Sequence, residues 1–256
     1  NVFIDGTFVA NPTVNLDLAN GETNDLTMSS GTLGPGGRTL DIYGDAVITG
    51  GTRNVNLRMA NTVGVTFNTS DAAGNVRIAG SGAVQITSSG SLGSLNFEAG
   101  ASSTVYLESN LTVNGNVTID GGTLDLQNQA GTTSYDITVG GNWVNAAGNF
   151  EERTGLLTMT GAVTTIDEDA SLYAFRVAGT GSVSLVRALS TTTDCDVDGT
   201  LDLSGFDLDV GDDLIGGGTL QASGTETIYV ADDFTTSGFT ANSSTVVLDT
   251  TNSGNV

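Results

Sequence analysis

Apolar and polar residues alternate along most of this chain with a period of two, in runs of three to six residues. Leu111/Val113, Val117/Ile119, Leu124/Leu126, Ile137/Val139, Cys195/Val197, Leu201/Leu203 and Leu208/Val210 are clear examples. Each run has one apolar face and one face of Thr, Asn, Asp or Ser, the signature of a short, half-buried strand. Gly, Asn or Asp closes each run, and pairs such as Asn114-Gly115, Asp120-Gly121 and Asp198-Gly199 supply the backbone freedom that sharp corners need. Helical periodicity is missing. The pattern therefore predicts an all-β chain of many short strands joined by tight turns.

Internal repetition narrows the architecture. Gly-Thr-Leu begins at 31, 122, 199 and 218, and Gly122-Thr123-Leu124-Asp125-Leu126 reappears downstream as Gly199-Thr200-Leu201-Asp202-Leu203. Upstream of these, Ser94-Leu95-Asn96-Phe97-Glu98-Ala99-Gly100 answers Tyr173-Ala174-Phe175-Arg176-Val177-Ala178-Gly179. On the other side, Asp136-Ile137-Thr138-Val139-Gly140 answers Asp207-Leu208-Asp209-Val210-Gly211, with Asp41-Ile42-Tyr43-Gly44-Asp45 as an earlier echo. The chain thus reads as one solenoid of three degenerate units, about 1–93, 94–171 and 172–256. Three strands of about five residues plus short turns make a coil of roughly 20 to 24 residues. The predicted fold is a right-handed parallel β-helix of about eleven coils, stacked about 4.8 Å apart. The competing architecture, tandem β-sandwich repeats, fits less well: turns come more often than every 8–12 residues, and no cysteine pair accompanies the single Trp.

Composition sharpens this reading. There are 36 Gly and only 2 Pro. Strands hydrogen-bonded on both sides leave no place for a residue without an N–H. Charged residues are 14% of the chain, about half the usual share. All seven basic residues are Arg, at 38, 53, 58, 77, 153, 176 and 187; there is no Lys and no His, and the formal net charge is -22. A P-loop, a pyridoxal enzyme and a serine-type triad cannot be built from this alphabet. Charge argues against nucleic-acid binding, because phosphate contacts need a basic surface. Membrane insertion is not expected, since no stretch approaches the roughly 20 apolar residues of a spanning helix. The opening, Asn1-Val2-Phe3-Ile4-Asp5-Gly6-Thr7-Phe8-Val9, lies inside a strand pattern, which suggests a segment of something longer.

Phe175-Arg176-Val177-Ala178-Gly179, the run Ser109 to Leu126 and Ile137-Thr138-Val139-Gly140-Gly141-Asn142-Trp143 carry a family resemblance. They resemble the Gly/Thr/Asn-rich repeats of large secreted bacterial surface proteins, of the filamentous-haemagglutinin and autotransporter-adhesin type. The likeness covers most of the chain and is best from 94 to 256. It implies an extracellular or cell-surface structural or adhesive role and carries over no catalytic residue.

Candidate chemistry centres on 194–213, where eight acids fall in twenty residues. Period two puts Asp194, Asp196 and Asp198 on one face of a strand and Asp207 and Asp209 on one face of a later one. If those strands stack, the five carboxylates could supply oxygens to calcium, a hard cation that takes six to eight. No EF-hand spacing or Gly-rich nonapeptide is present, and the residues favour a solvated acidic face. Paired acids for glycoside cleavage would be Asp167, Glu168 and Asp169, or Asp212 and Asp213, but adjacent strand residues point to opposite faces. The chain is accordingly expected not to be an enzyme, with a polysaccharide-binding or polysaccharide-cleaving β-helix as the alternative.

Other residues have plainer readings. Thr pairs such as Thr158/Thr160 and Thr225/Thr227 read as polar strand formers rather than an ice-binding array. Cys195 should face inward as a core residue. Trp143 and Phe150 should pack in the core or cap a corner. Four sequons, at Asn68, Asn110, Asn116 and Asn242, mean glycan only in a secretory host. Both ends, at Asn1-Val2-Phe3-Ile4 and Thr245-Val246-Val247-Leu248, look like interrupted repeats. The expected function is therefore a stalk, fibre subunit or adhesin shaft, whose partners are further copies or neighbouring repeats joined end to end, with surface glycans as candidate ligands.

Overall fold

The structure, a computed structural model, describes residues 75–88 and 90–248, together with the earlier segments 6–8, 13–15, 20–23, 25–28, 32–43, 46–48, 52–59 and 65–69. The fold is all-β: a parallel β-solenoid of about ten turns, without a helix among the described residues. The expectation at Asn1 to Ile4, and Gly31 of the first Gly-Thr-Leu, lie outside these residues. The chain packs as two units, residues 1–136 with 146–151 and residues 137–145 with 152–256.

In the first unit, strands Val65–Thr69, Ser81–Ser88, Ser102–Leu107, Thr123–Asp125 and Asn149–Glu151 form one parallel sheet. A second ladder runs through Thr52–Met59, Val76–Ile78, Leu95–Phe97 and Val117–Ile119. Alternation sends every second residue inward, so that Leu57, Val76, Leu95 and Val117 stack in one column and Met59, Ile78, Phe97 and Ile119 in another. All are buried, and burial of such side chains contributes about 1.5–3 kcal/mol each. Leu124 pairs with Val105 on one side and with Phe150 on the other, so the step to the later strand is the longer of the two. Within that step the chain makes a small excursion, closed by an antiparallel bridge between Gln127 and Ser134. Asn128 Oδ1 shapes it by accepting the N–H groups of Thr132 (2.8 Å) and Thr133 (3.2 Å).

In the second unit each full coil has three faces. Strands Ile137–Val139, Leu156–Met159, Ala174–Val177 and Cys195–Val197 form one face, which continues into Leu214–Gln221. Trp143–Asn145, Thr164–Asp167, Ser182–Leu185 and Thr200–Asp202 form the second. Leu189–Thr191, Leu208–Val210, Thr227–Val230 and Thr245–Leu248 form the third. Coil length is not constant: the step from Leu156 to its partner Ala174 is short, and that from Trp143 to its partner Ile166 is long. Interior columns such as Ile137, Leu157, Phe175, Cys195 and Leu214 are fully buried. Cys195 faces inward as its alternation with Asp predicts, and burial pushes its thiol up to about 12. Trp143, the largest fully buried side chain, sits on the second face.

The Gly-Thr-Leu motif has a steric cause. At Gly199 a Cβ would lie 2.3 Å from the carbonyl oxygen of Gly181, and at Gly218 one would lie 1.9 Å from that of Gly199. Successive coils approach so closely at this corner that only a residue without a side chain fits.

Candidate functional site

The acidic region is built on strand Cys195–Val197. Cys195 and Val197 are buried, so alternation turns Asp194, Asp196 and Asp198 outward. Arg176, on the strand stacked beneath, takes Asp196 (3.3 Å) and Asp198. The hydrogen bond from Arg176 and that from the backbone of Gly217 hold the Asp198 carboxyl below its ordinary value. Asp196 is raised, first by partial burial and then by the charge of Asp198.

Asp207 and Asp209 belong elsewhere. Asp209 lies on strand Leu208–Val210 of the third face, a sheet separate from the one carrying Cys195–Val197. Asp207 directly precedes that strand, and its Oδ1 accepts the backbone N–H of Thr227 at 2.6 Å. The carboxylates that do converge on Asp194 are Asp212 and Asp213, each offering an oxygen within 4.8 Å of the others. The stacking offset explains this: Asp213 follows Asp194 by one coil, and its N–H points to Asp194 Oδ1 at 3.4 Å. Desolvation beside its neighbours, followed by the charges of Asp213, Asp194 and Asp232, raises the carboxyl of the exposed Asp212. Three carboxylates in this arrangement could supply part of the shell of a hard cation.

The acids considered for glycoside cleavage are also accounted for. Asp167 and Asp169 both reach Arg187, the latter at 3.4 Å. Glu168, between them, points inward. No match to this chain is found among protein-family models, curated proteins or solved structures.

A single use of side chains recurs along the corners: a carboxylate, amide or hydroxyl of one coil accepts a backbone N–H of the next. Asp198 takes Gly217 (3.2 Å), Asp213 takes Asp233 (2.9 Å), Asn142 takes Thr165 (3.0 Å), and Ser94 takes Asn116 (3.1 Å). The sequon residue Asn110 is engaged likewise, accepting the N–H of Asp136 at 3.1 Å. Asn242 donates to the Ala222 carbonyl, Asn116 is exposed, and the side chain of Asn68 lies outside the described residues.

Three buried glutamates escape a reading that takes acids as solvated. Glu226 is cradled by the N–H groups of Ser223 and Gly224 (both 2.7 Å) and Gly205 (3.0 Å) and by the Ser223 hydroxyl (2.9 Å). These donors outweigh burial and hold it down to about 2. Glu168 accepts the indole N–H of Trp143 (2.9 Å) and the amide of Asn145 (2.9 Å). Glu152 accepts the N–H of Leu157 (3.1 Å) and that of Tyr173. A parity signal marks all three, because Glu152 shares its register with Phe150, Glu168 with Ile166, and Glu226 with Ile228, each buried.

Proposed function

We propose that this chain is a non-catalytic structural segment of an extracellular surface protein or filament, a stalk, fibre subunit or adhesin shaft that associates end to end. The observation that carries this reading is the condition of the last described coil. Ile228 and Val230 are completely buried, yet Val246 and Leu248, which stack on them in the same inward columns, are 37% and 49% exposed. No described strand pairs with the outer edge of Thr245–Leu248. Among the described residues this inward column is uncovered on its far side, and a further coil would supply both apolar side chains and ladder hydrogen bonds there. The use of polar corner residues as links between coils supports a non-catalytic role. No helix of the described residues is long and apolar enough to cross a membrane.

End-to-end association predicts particles that lengthen with concentration in analytical ultracentrifugation and negative-stain images. The double substitution Val246→Asp with Leu248→Asp should abolish the lengthening while leaving the circular-dichroism spectrum intact. Compact monomers at every concentration would defeat the proposal.

Calcium binding is a second reading, favoured by the convergence of Asp194, Asp212 and Asp213. With calcium at ten times its Kd, binding stabilises by about 1.4 kcal/mol, a rise in Tm of about 3–5 °C over the chelated protein. Asp212→Asn with Asp213→Asn should erase the rise. A melting curve indifferent to calcium leaves a solvated acidic corner.

A further inference from the structure

Two buried carboxylates hold one turn from its two ends. At the start of the turn 168–173, Glu168 Oε1 accepts the backbone N–H groups of Asp169 and Ala170, both at 3.1 Å. At its end, Glu152 Oε2 accepts the N–H of Tyr173. Glu152 Oε1 also accepts the N–H of Leu157, on strand Leu156–Met159, and Glu168 holds Trp143 and Asn145. The pair thereby ties together three successive passages of the chain through the second unit. Glu168 is 1% exposed and Glu152 5%.

Two ionised carboxylates this deep are costly, because burial and mutual repulsion both disfavour the second charge. Their donors differ. Glu168 meets two side-chain and two main-chain donors, so it is the better site for the negative charge. Glu152 meets main-chain donors alone among its hydrogen bonds, and a neutral acid can accept these too. Beside Glu168, Asn145 Oδ1 is buried with no donor among the described residues.

We propose that Glu152 and Glu168 form a proton-operated clip, closed on the 168–173 turn while Glu152 keeps its proton and open when that proton leaves. Burial, with the charge of Glu168 adding to it, raises the Glu152 carboxyl to about 8, from an ordinary 4.5, although its backbone donors pull the other way. The charged groups on the surrounding elements are turned outward or engaged elsewhere. Glu151 and Arg153, its chain neighbours, and Asp169 are exposed; strand Leu156–Met159 bears no charge; Arg176, on Ala174–Val177, is engaged by Asp196 and Asp198. Tyr173 is half-buried.

The closed state binds the proton more tightly than the open state. Its advantage is therefore full at and below pH 4.5 and is lost as pH rises toward 8 and beyond. Between pH 6 and pH 9 the opening equilibrium of the turn should increase on the order of 100-fold. Hydrogen exchange of the full chain at these two pH values, corrected for intrinsic exchange rates, reads this directly. Peptides covering 152–157 and 169–174 should lose protection, while one covering 208–214 should not. Glu152→Gln, which cannot ionise, should keep the two clip peptides equally protected at both pH values. Carboxyl carbon-13 NMR of the unaltered protein gives a check independent of any variant, with a Glu152 midpoint expected near 8. Titration of Glu152 near 4.5, clip peptides whose protection ignores pH, or an unchanged pH response in a folded Glu152→Gln protein would each overturn the proposal.

Discussion

Gly218→Ala is expected to lower the stability of the second unit by about 3 kcal/mol or more, a fall in Tm of about 6–12 °C. The added methyl would lie 1.9 Å from the carbonyl oxygen of Gly199 and 2.5 Å from the carbonyl carbon of Asp198. Both are backbone atoms of the coil beneath, so no side-chain rotation relieves the clash. Relief requires Thr219 and Leu220 to move away from their partners Thr200 and Leu201, which breaks the ladder and opens a gap beneath a buried leucine. The neighbouring residue provides the control. At Gly217 a Cβ would meet nothing closer than Asp198 Oδ1 at 3.9 Å, an ordinary contact, so Gly217→Ala should change stability by no more than about 0.5 kcal/mol. Thermal melts of the two proteins followed by circular dichroism separate the cases. Equal melting temperatures would mean that the coils do not approach as closely at this corner as the glycine ladder implies.

Trp143→Ala should cost about 3–5 kcal/mol, since it empties the largest buried side chain of the second unit and leaves a cavity under Ile166. A second loss is polar. The indole N–H lies 2.9 Å from Glu168 Oε2, and without it a buried carboxylate gives up one of its donors. Trp143→Phe separates the two effects, because it keeps most of the apolar volume and removes the N–H. It should cost about 1–3 kcal/mol. Denaturant midpoints in the order wild type, Phe, Ala are the expected result. A phenylalanine variant as stable as the wild type would show that the indole–carboxylate bond adds nothing to the fold.

The parallel solenoid was legible because its determinants are local. Cys195 and Val197, or Leu208 and Val210, announce their inward faces within three residues, and Asp198-Gly199 announces the corner that follows. Stacking is not local. Period two places Asp194, Asp196 and Asp198 on one face of a strand, but it does not say which later strand rests upon that face. The answer depends on a coil length that varies within the second unit, as the unequal steps from Leu156 to Ala174 and from Trp143 to Ile166 show. Strand parity alone therefore groups Asp207 and Asp209 with Asp194, whereas one coil onward from Asp194 brings Asp213. The buried glutamates illustrate the opposite failure. Their parity with Phe150, Ile166 and Ile228 was visible, but charge suggested solvent, and the donors that make burial tolerable come from turns whose shape appears only in three dimensions.

The excursion between Leu126 and Tyr135 bears on how such a chain can change length. Its two stems are joined by a hydrogen bond of 2.7 Å from the Tyr135 N–H to the Leu126 carbonyl, and Leu126 in turn donates to Glu151. Whatever lies between the stems enters and leaves at nearly the same point, outside the interior columns. Each doubling of such a loop costs only about 0.6 kcal/mol in closure entropy. This position is thus a ready graft port, where a foreign peptide could be displayed, tethered at both ends, without renumbering the ladder that carries it.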